Sequence, residues 1–433
     1  MNILLIGNGF DLAHNLPTSY TDFLEFCKMI KVVYDVGDER HADDVWNSLH
    51  LKIEKEQLRE KFYELMDDAV KESNWDRDNF IRTESRFDEL YDLIEDNVWI
   101  EYFQANSMYN KENWIDFESE ISKVVQSIDK DLFDKNGEKM DVANDIYKLT
   151  NCFLSEKFKE YLKCNEQKPF LKTVNIENQK SISYQRVIDI LYSDLNKLIR
   201  ALEIYLSEYV MNLECKLFSK DIKALNIDRV LSFNYTNTYE KIYDCERRAE
   251  YDFIHGEAKI EKSIDTNNMV LGIDEYLPKE RRNKDVEFIA FKKFYQRICK
   301  NTGCKYKEWV DEIEQDENAE KRNLVEFYRE RMSFEDFGNK NYLHIFGHSL
   351  DVTDRDVIKD LILNDNVYTT IYYREMLDEK GNGDNGRNDL GQKIANLVKV
   401  IGQDELIKRT GGNKKTIEFK RQGKMESLSS KPE

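Results

Sequence analysis

Close to the amino terminus a short aliphatic run, Asn2 to Ile6, passes directly into the turn Gly7-Asn8-Gly9-Phe10-Asp11. No polar residue alternates within Ile3–Ile6, so the strand it predicts is buried on both faces, as strands of a parallel sheet are. Glycines let the backbone turn tightly and approach a ligand, and the amides of such a turn can hold a phosphate. The turn departs from the dinucleotide fingerprint, because Leu12 stands where the third glycine belongs. No Gly-Lys-Ser/Thr follows, so it is not a P-loop. An ordinary strand-to-loop turn has the same local sequence. Beyond it, Pro17-Thr18-Ser19 precedes the helical spacing of Tyr20, Phe23, Leu24, Phe26, Cys27 and Ile30. Thr18 or Ser19 can cap that helix, with Asp22 three residues past Ser19.

Further along, the periodicity changes. From about 43 to 224 helical spacing dominates, as in Val45 to Val70, Arg86 to Phe103, Glu118 to Phe133 and Ser183 to Phe218. Strand-like runs then return at Arg229–Phe233, Tyr251–Ile254, Met269–Ile273, Tyr342–Phe346 and Val367–Tyr373. With the first run they predict a sheet of about six strands. The expected organisation is an α/β domain begun by residues 1–42, interrupted by a helical insertion over 43–224 and completed over 225–405. Residues 406–433 read as a basic, partly disordered tail.

Composition narrows the function classes. The 433 residues carry 84 acids against 65 bases, a net charge of -19, which disfavours a broad nucleic-acid surface. The 7 cysteines are scattered, and none forms a C-x-x-C pair. They read as reduced thiols, with no zinc site expected. No run approaches the ~20 apolar residues of a membrane span, and the N-terminal run lacks a basic leader. A cytoplasmic protein is expected.

Polar clusters follow four of the predicted strands: Gly7-Asn8-Gly9-Phe10-Asp11, Asn234-Tyr235-Thr236, His255-Gly256 and Gly347-His348-Ser349. In a parallel sheet all four reach one rim, where α/β proteins bind their ligands. Asn234 can hold a ribose hydroxyl or a water, or simply shape a turn. His255 suits a general base near neutral pH, or a structural hydrogen bond. His14 falls in the glycine loop region, where it can meet a substrate. His344 reads as packing within its strand, and His41 and His50 as exposed in the insertion. Asp116, Glu118, Asp351, Asp354 and Asp356 read first as helix-start acids.

The opening GNGFDLAHNLPTSYTDFL resembles the signature of the AbiH family of bacterial phage abortive-infection proteins. SFNYTNTYEKIY, IHGEA, LGIDE and FGHSLDVTD follow in that family's order, and NWIDFESEI matches within the insertion. The rim motifs also resemble a sirtuin-like, Rossmann-like NAD-binding core. That resemblance implies that Gly7 and Gly9 belong to the phosphate loop, with Asn8, Phe10 and His14 beside it. Asn234 becomes the ribose asparagine and His255 the base, while Gly347, His348 and Ser349 form the late motif. Thr236 stands where many such domains carry an acid, and the zinc cysteines of deacylating sirtuins are missing, so deacylation is not expected.

The function these readings imply is phage defence by an enzyme that binds NAD or a related nucleotide and hydrolyses its N-glycosidic bond. Asn234, His255 and Asp11 are the expected catalytic residues. The nucleotide is the substrate or ligand, and no separate cofactor or metal is required. The alternative is a non-catalytic nucleotide sensor that engages a phage or host partner through its helical insertion. Self-association stays open.

Overall fold

The computed structural model describes residues 1–36, 85–107, 116–133, 139, 146–148, 181–316, 318, 340–375, 383–384 and 386–427. The expected helix at Val45–Val70, His41 and His50, and the tryptophan of NWIDFESEI lie outside the described residues. The chain divides into two compact units. The first comprises Met1–Leu16, Glu214–Glu257 and Asn301–Glu433; the second comprises Pro17–Leu213 and Ala258–Lys300. The departure from the α/β part thus falls at Pro17, and a second excursion follows Glu257.

The first unit holds a six-stranded parallel sheet. We number its strands β1 (Asn2–Ile6), β2 (Arg229–Ser232), β3 (Glu250–Phe253), β4 (Asn341–Phe346), β5 (Val367–Tyr373) and β6 (Ile417–Arg421). Their spatial order is β3-β2-β1-β4-β5-β6, the order of a doubly wound dinucleotide-binding sheet. The unit's helices include α1 (Asn8–Ala13), α2 (Thr238–Tyr243), α3 (Arg355–Ile362), α4 (Arg387–Ile401) and α5 (Gln403–Thr410), with a further helical run over 306–316. A shorter helix, Lys220–Lys223, and an antiparallel pairing of Leu217–Phe218 with Glu426–Ser427 also belong to it.

Strand alternation explains why β1 is aliphatic throughout. Ile3 and Leu5 enter one hydrophobic cluster with Leu343, Ile345, Val357, Leu361, Leu397 and Ile417. Leu4 and Ile6 enter a second cluster with Phe10, Val230, Tyr239 and Phe346. Successive side chains of a strand point to opposite faces, so a central strand covered on both sides has no room for a polar residue.

Two sequence expectations change. Met269–Ile273 is not a strand of this sheet and belongs to the second unit. Met269, Val270 and Leu271 are buried there, but Gln296 serves as the backbone partner of Leu271, its side chain both accepting from Leu271 N (3.1 Å) and donating to Leu271 O (3.1 Å). An apolar run can therefore mark burial without a ladder. The sixth strand comes instead from Ile417–Arg421, within the segment expected to be a tail. It pairs only with β5, and its exposed charged positions hide the pattern.

The second unit is mostly helical in its described parts, with one antiparallel pairing of Ile146–Lys148 with Ser181–Ser183. Ser19 and Asp22 form a reciprocal cap at the start of Tyr20–Val36: the Ser19 hydroxyl donates to Asp22 Oδ2 (2.5 Å) and Asp22 N donates to Ser19 Oγ (3.2 Å). The long helix Tyr184–Ile204 continues into a π-helical turn, Tyr205–Val210. Trp99 donates to Leu191 O on this helix at 2.8 Å, and Val98 N donates to the Asp194 carboxylate at 3.0 Å. Phe117 stacks between Tyr20 and Phe103, with both centroid separations 4.1 Å. Among the described residues no helix is long and apolar enough to cross a membrane.

Ile417 is 1% exposed in the first hydrophobic cluster. Ile417→Ala is expected to destabilise the protein by about 2–5 kcal/mol, the cost of truncating a buried isoleucine. A solvated tail would lose less than about 0.5 kcal/mol, so urea unfolding of the variant separates the two assignments.

Candidate functional site

The parallel register brings four strand ends to one level. Ile6 pairs with Ser232 and Phe346, and Ser232 with Phe253. The next residues, Gly7, Phe233, Ile254 and Gly347, therefore begin four neighbouring loops at the carboxyl edge of the sheet. In the strand order the connections reverse between β1 and β4, which is where open α/β sheets bind ligands.

Here the loops after β1 and β4 touch. Gly9 N donates to Gly347 O at 2.8 Å, and Gly7 N donates to Phe346 O at 3.3 Å. A Cβ on Gly9 would stand 2.7 Å from Gly347 O, and one on Gly347 would stand 2.1 Å from Phe10 N. Gly347 also has a φ of +70°, a conformation that disfavours any side chain. A Cβ on Gly7 would meet the His348 ring at 2.9 Å. These glycines thus make loop-to-loop packing possible, and the Gly7, Gly9 and Phe10 amides bond within the protein.

Asp11 on α1 is fully buried. Thr236 Oγ1 donates to its Oδ2 at 2.5 Å and itself accepts from Thr238 Oγ1 at 3.1 Å. The other carboxyl oxygen, Oδ1, has no hydrogen-bond partner. Burial pushes the Asp11 pKa up to about 6, against the opposing pull of Thr236, Thr238 and Asn234. Asn234 is 4% exposed, and neither its side-chain oxygen nor its nitrogen has a hydrogen-bond partner. The amide approaches Asp11 closely enough to favour the charged carboxyl, but without hydrogen-bond geometry. Its backbone is pinned by Ser232, whose hydroxyl accepts from Asn234 N and donates to Asn234 O, both at 3.1 Å.

His255 and His348 meet a common acid. Their Nε2 atoms lie 3.4 Å from Oδ1 and Oδ2 of Asp354, respectively. Phe233 packs between the rings, at 5.5 Å from His255 and 4.4 Å from His348. Tyr235 lies 6.2 Å from His255. Helix α4 fixes the loop that carries His348: Lys393 Nζ donates to His348 O at 2.6 Å, and Asn396 Nδ2 donates to Ser349 O at 3.0 Å. Burial pulls the Lys393 pKa down.

His14 faces inward. Its Nδ1 donates to Phe10 O at 2.7 Å, so Nε2 carries the lone pair and accepts from Tyr243 OH at 2.7 Å. Tyr243 OH in turn accepts from Ser219 N at 2.6 Å. Burial lowers the His14 pKa, and both nitrogens are engaged within the protein, so the ring braces α1 against α2. Asp116 caps Phe117–Asp131, accepting from Glu118 N at 3.1 Å, and Glu118 pairs with Lys293 at 2.7 Å. Asp351 caps the turn at Val352–Asp354, whereas the Asp354 side chain does not cap α3.

Sequence reasoning missed Asp354, Thr238, Phe233 and Lys393. Asp354 left a signal as the last residue of FGHSLDVTD, where a helix-start acid is the ordinary reading, and Phe233 and Thr238 lie within SFNYTNTYEKIY; Lys393 left none. Among the described residues no group of three or more His, Cys, Asp or Glu side chains is placed to hold a metal ion.

Compared with curated proteins, the chain finds no match. Compared with solved structures, it likewise finds none. The family model described as bacteriophage abortive infection AbiH matches residues 3–373, from β1 through β5. The matched span contains all four strand-end loops with Asp11 and Asp354, and the chain belongs to the AbiH family of bacteriophage abortive-infection proteins.

Proposed function

We propose that this phage-defence protein binds a nucleotide at the carboxyl edge of its sheet and hydrolyses the N-glycosidic bond of NAD or a close relative. One observation carries the reading: Asn234 and Asp11 hold buried polar atoms without hydrogen-bond partners at the rim. Each such atom costs ~1–3 kcal/mol when left unsatisfied. Such groups in a native protein call for a partner, which a ligand, a reacting group or an ordered water supplies. An amide and a carboxyl side by side suit ribose hydroxyls, which both donate and accept.

The chemistry fits the same groups. Cleavage passes through an oxocarbenium-like sugar, which a nearby carboxylate stabilises. In NAD the electron pair of the breaking bond quenches the pyridinium charge, so nicotinamide departs neutral and needs no acid. Water supplies the new bond to the sugar carbon, and its proton goes to a base. We assign Asn234 to the ribose, Asp11 in its charged form to the developing cation, and His255 to the water or a ribose hydroxyl. The nucleotide's other contacts fall to the loops at Asn8 and Ser349.

Incubating purified protein with NAD, with and without extract of infected cells, and following nicotinamide release tests the assignment. Asn234→Ala and His255→Ala are each expected to lower release by ~10²–10⁴-fold, the range for a lost transition-state contact or a lost base. Absence of release under both conditions would sink NAD hydrolysis. Thermal stabilisation by the nucleotide without release would instead favour a sensor.

Asp11 adds a second expectation. Its folded pKa of about 6 lies above the ordinary aspartate value of 3.8, so the folded state binds its proton more tightly. Stability therefore falls as pH rises from about 4 through about 6, by roughly 3 kcal/mol in all, and stays lowered above that. Asp11→Asn is expected to flatten that slope and to be more stable than wild type at pH 7, while losing nicotinamide release. Urea midpoints of both proteins between pH 4 and 7.5 check the sign; a variant less stable at pH 7 contradicts it. Wild-type release is expected to rise through pH 6 as the carboxylate forms.

A further inference from the structure

We propose that the free edge of the sheet at β6 pairs antiparallel with β6 of a second copy of this chain, in a register that its charges select. The two edges of the sheet differ. At β3 the segment after Asn301 covers the edge. Thr302 Oγ1 donates to Phe253 O at 3.2 Å, Tyr306 N to the Asp252 carboxylate at 2.8 Å and Trp309 Nε1 to the Glu250 carboxylate at 3.1 Å. At the other edge β6 pairs only with β5, and among the described residues no strand lies beyond it. An open strand edge is a template for a further strand.

The ladder fixes which backbone groups of β6 point outward. The register runs from Ile417 beside Thr369 to Arg421 beside Tyr373. At its ends Thr369 N donates to Thr416 O at 2.7 Å and Gln422 N donates to Tyr373 O at 2.9 Å. A parallel ladder uses every second residue of a strand. The backbone groups of Glu418 and Lys420 therefore face β5, and those of Ile417, Phe419 and Arg421 face away. Among the described residues these outward groups meet no backbone partner.

A two-fold axis through Phe419 puts Phe419 opposite its own copy and Ile417 opposite Arg421, with about six backbone hydrogen bonds. Glu418 then lies opposite Lys420 of the second copy, twice over. These are the close pairs of the ladder, with Cα atoms ~4.5 Å apart. Moving the axis by one residue places Glu418 opposite Glu418, or Lys420 opposite Lys420. Like charges directly opposite are destabilising, so the sequence selects the first register over both neighbours.

The side chains fit the joining. Lysine at an edge commonly guards against pairing. Lys420 instead lies on the face of the sheet, 3.0 Å from Asp221 and 5.3 Å from the Tyr372 ring centroid. Glu418 lies on that face too, accepting from Thr370 Oγ1 at 3.1 Å. Phe419 is on the opposite face, only partly buried against the first hydrophobic cluster. The axis stands perpendicular to the joined sheet and brings the two Phe419 rings together there. Helix α5 covers the same face through Leu406, and its Ile407 is 61% exposed. A strand from another protein could use the same backbone groups, but the self-matched charges favour a second copy.

Sedimentation velocity of the full chain across a wide concentration range reads the association. A concentration-dependent species of twice the 51.6 kDa of the chain is expected. Glu418→Lys leaves only lysines in the two close pairs, and Lys420→Glu leaves only glutamates. Each substitution acts twice across the axis, so each variant alone is expected to weaken self-association about tenfold or more. An equimolar mixture of the two restores opposite charges and is expected to recover the dimer as a mixed pair. Arg421→Pro removes an outward N–H while sparing the ladder to β5, and is expected to abolish the dimer. Should a charge variant fail to fold by circular dichroism, Arg421→Pro decides. A monomer at every concentration, or a dimer that Glu418→Lys and Arg421→Pro leave unchanged, overturns the proposal. So does a mixture of folded charge variants that stays monomeric.

Discussion

Gly9 N–H donates to Gly347 O at 2.8 Å, and the bond exists because glycines let two loops meet backbone to backbone. The rim is organised around that contact. It brings the start of α1, and hence Asp11, beside the loop that carries His348. It also closes the place where a doubly wound sheet reverses direction. A glycine turn of this kind is usually read as a cradle for phosphate. In this chain its amides bond inward, and its small size serves packing. The buried polar groups without hydrogen-bond partners stand further along, on α1 and after β2.

A buried carboxyl and a buried amide without partners lower the stability of the folded chain. Asp11 is held in place from one side, by Thr236 and through it by Thr238. The other oxygen is unbonded, as is the Asn234 side chain. A site assembled only for structure would close these groups on one another. His14 shows what such closure looks like nearby, with each ring nitrogen bonded to a definite partner at 2.7 Å. The contrast between His14 and Asn234, both nearly fully buried, is between a side chain fixed at both ends and one without a hydrogen-bond partner.

Much of the rim was legible in the sequence, because strand ends advertise themselves. An aliphatic run that stops at Gly7, Asn234, His255 or Gly347 declares both a strand and its carboxyl end. Parallel pairing then brings those ends together. What escaped was information that exists only between elements. Asp354 looked like a helix-start acid, and only the packing of α3 near β3 and β4 loops places it between two imidazoles. The edge strand Ile417–Arg421 was hidden by its charges, since a strand paired on one side needs few apolar residues. Met269–Ile273 erred the other way: it is apolar enough for a strand, but Gln296 takes the place of a neighbouring chain.

Thr236 connects the two kinds of reading. In the sirtuin-like pattern expected from the sequence, an acid often stands two residues after the asparagine. Here the hydroxyl of Thr236 instead grips an acid delivered from α1. The carboxyl arrives from the first strand's side, and burial raises its pKa to about 6. A carboxyl poised at about 6, rather than fully charged, can change state within the physiological range. That property belongs to the geometry of Asp11, Thr236 and Asn234 together, and no one of the three shows it alone.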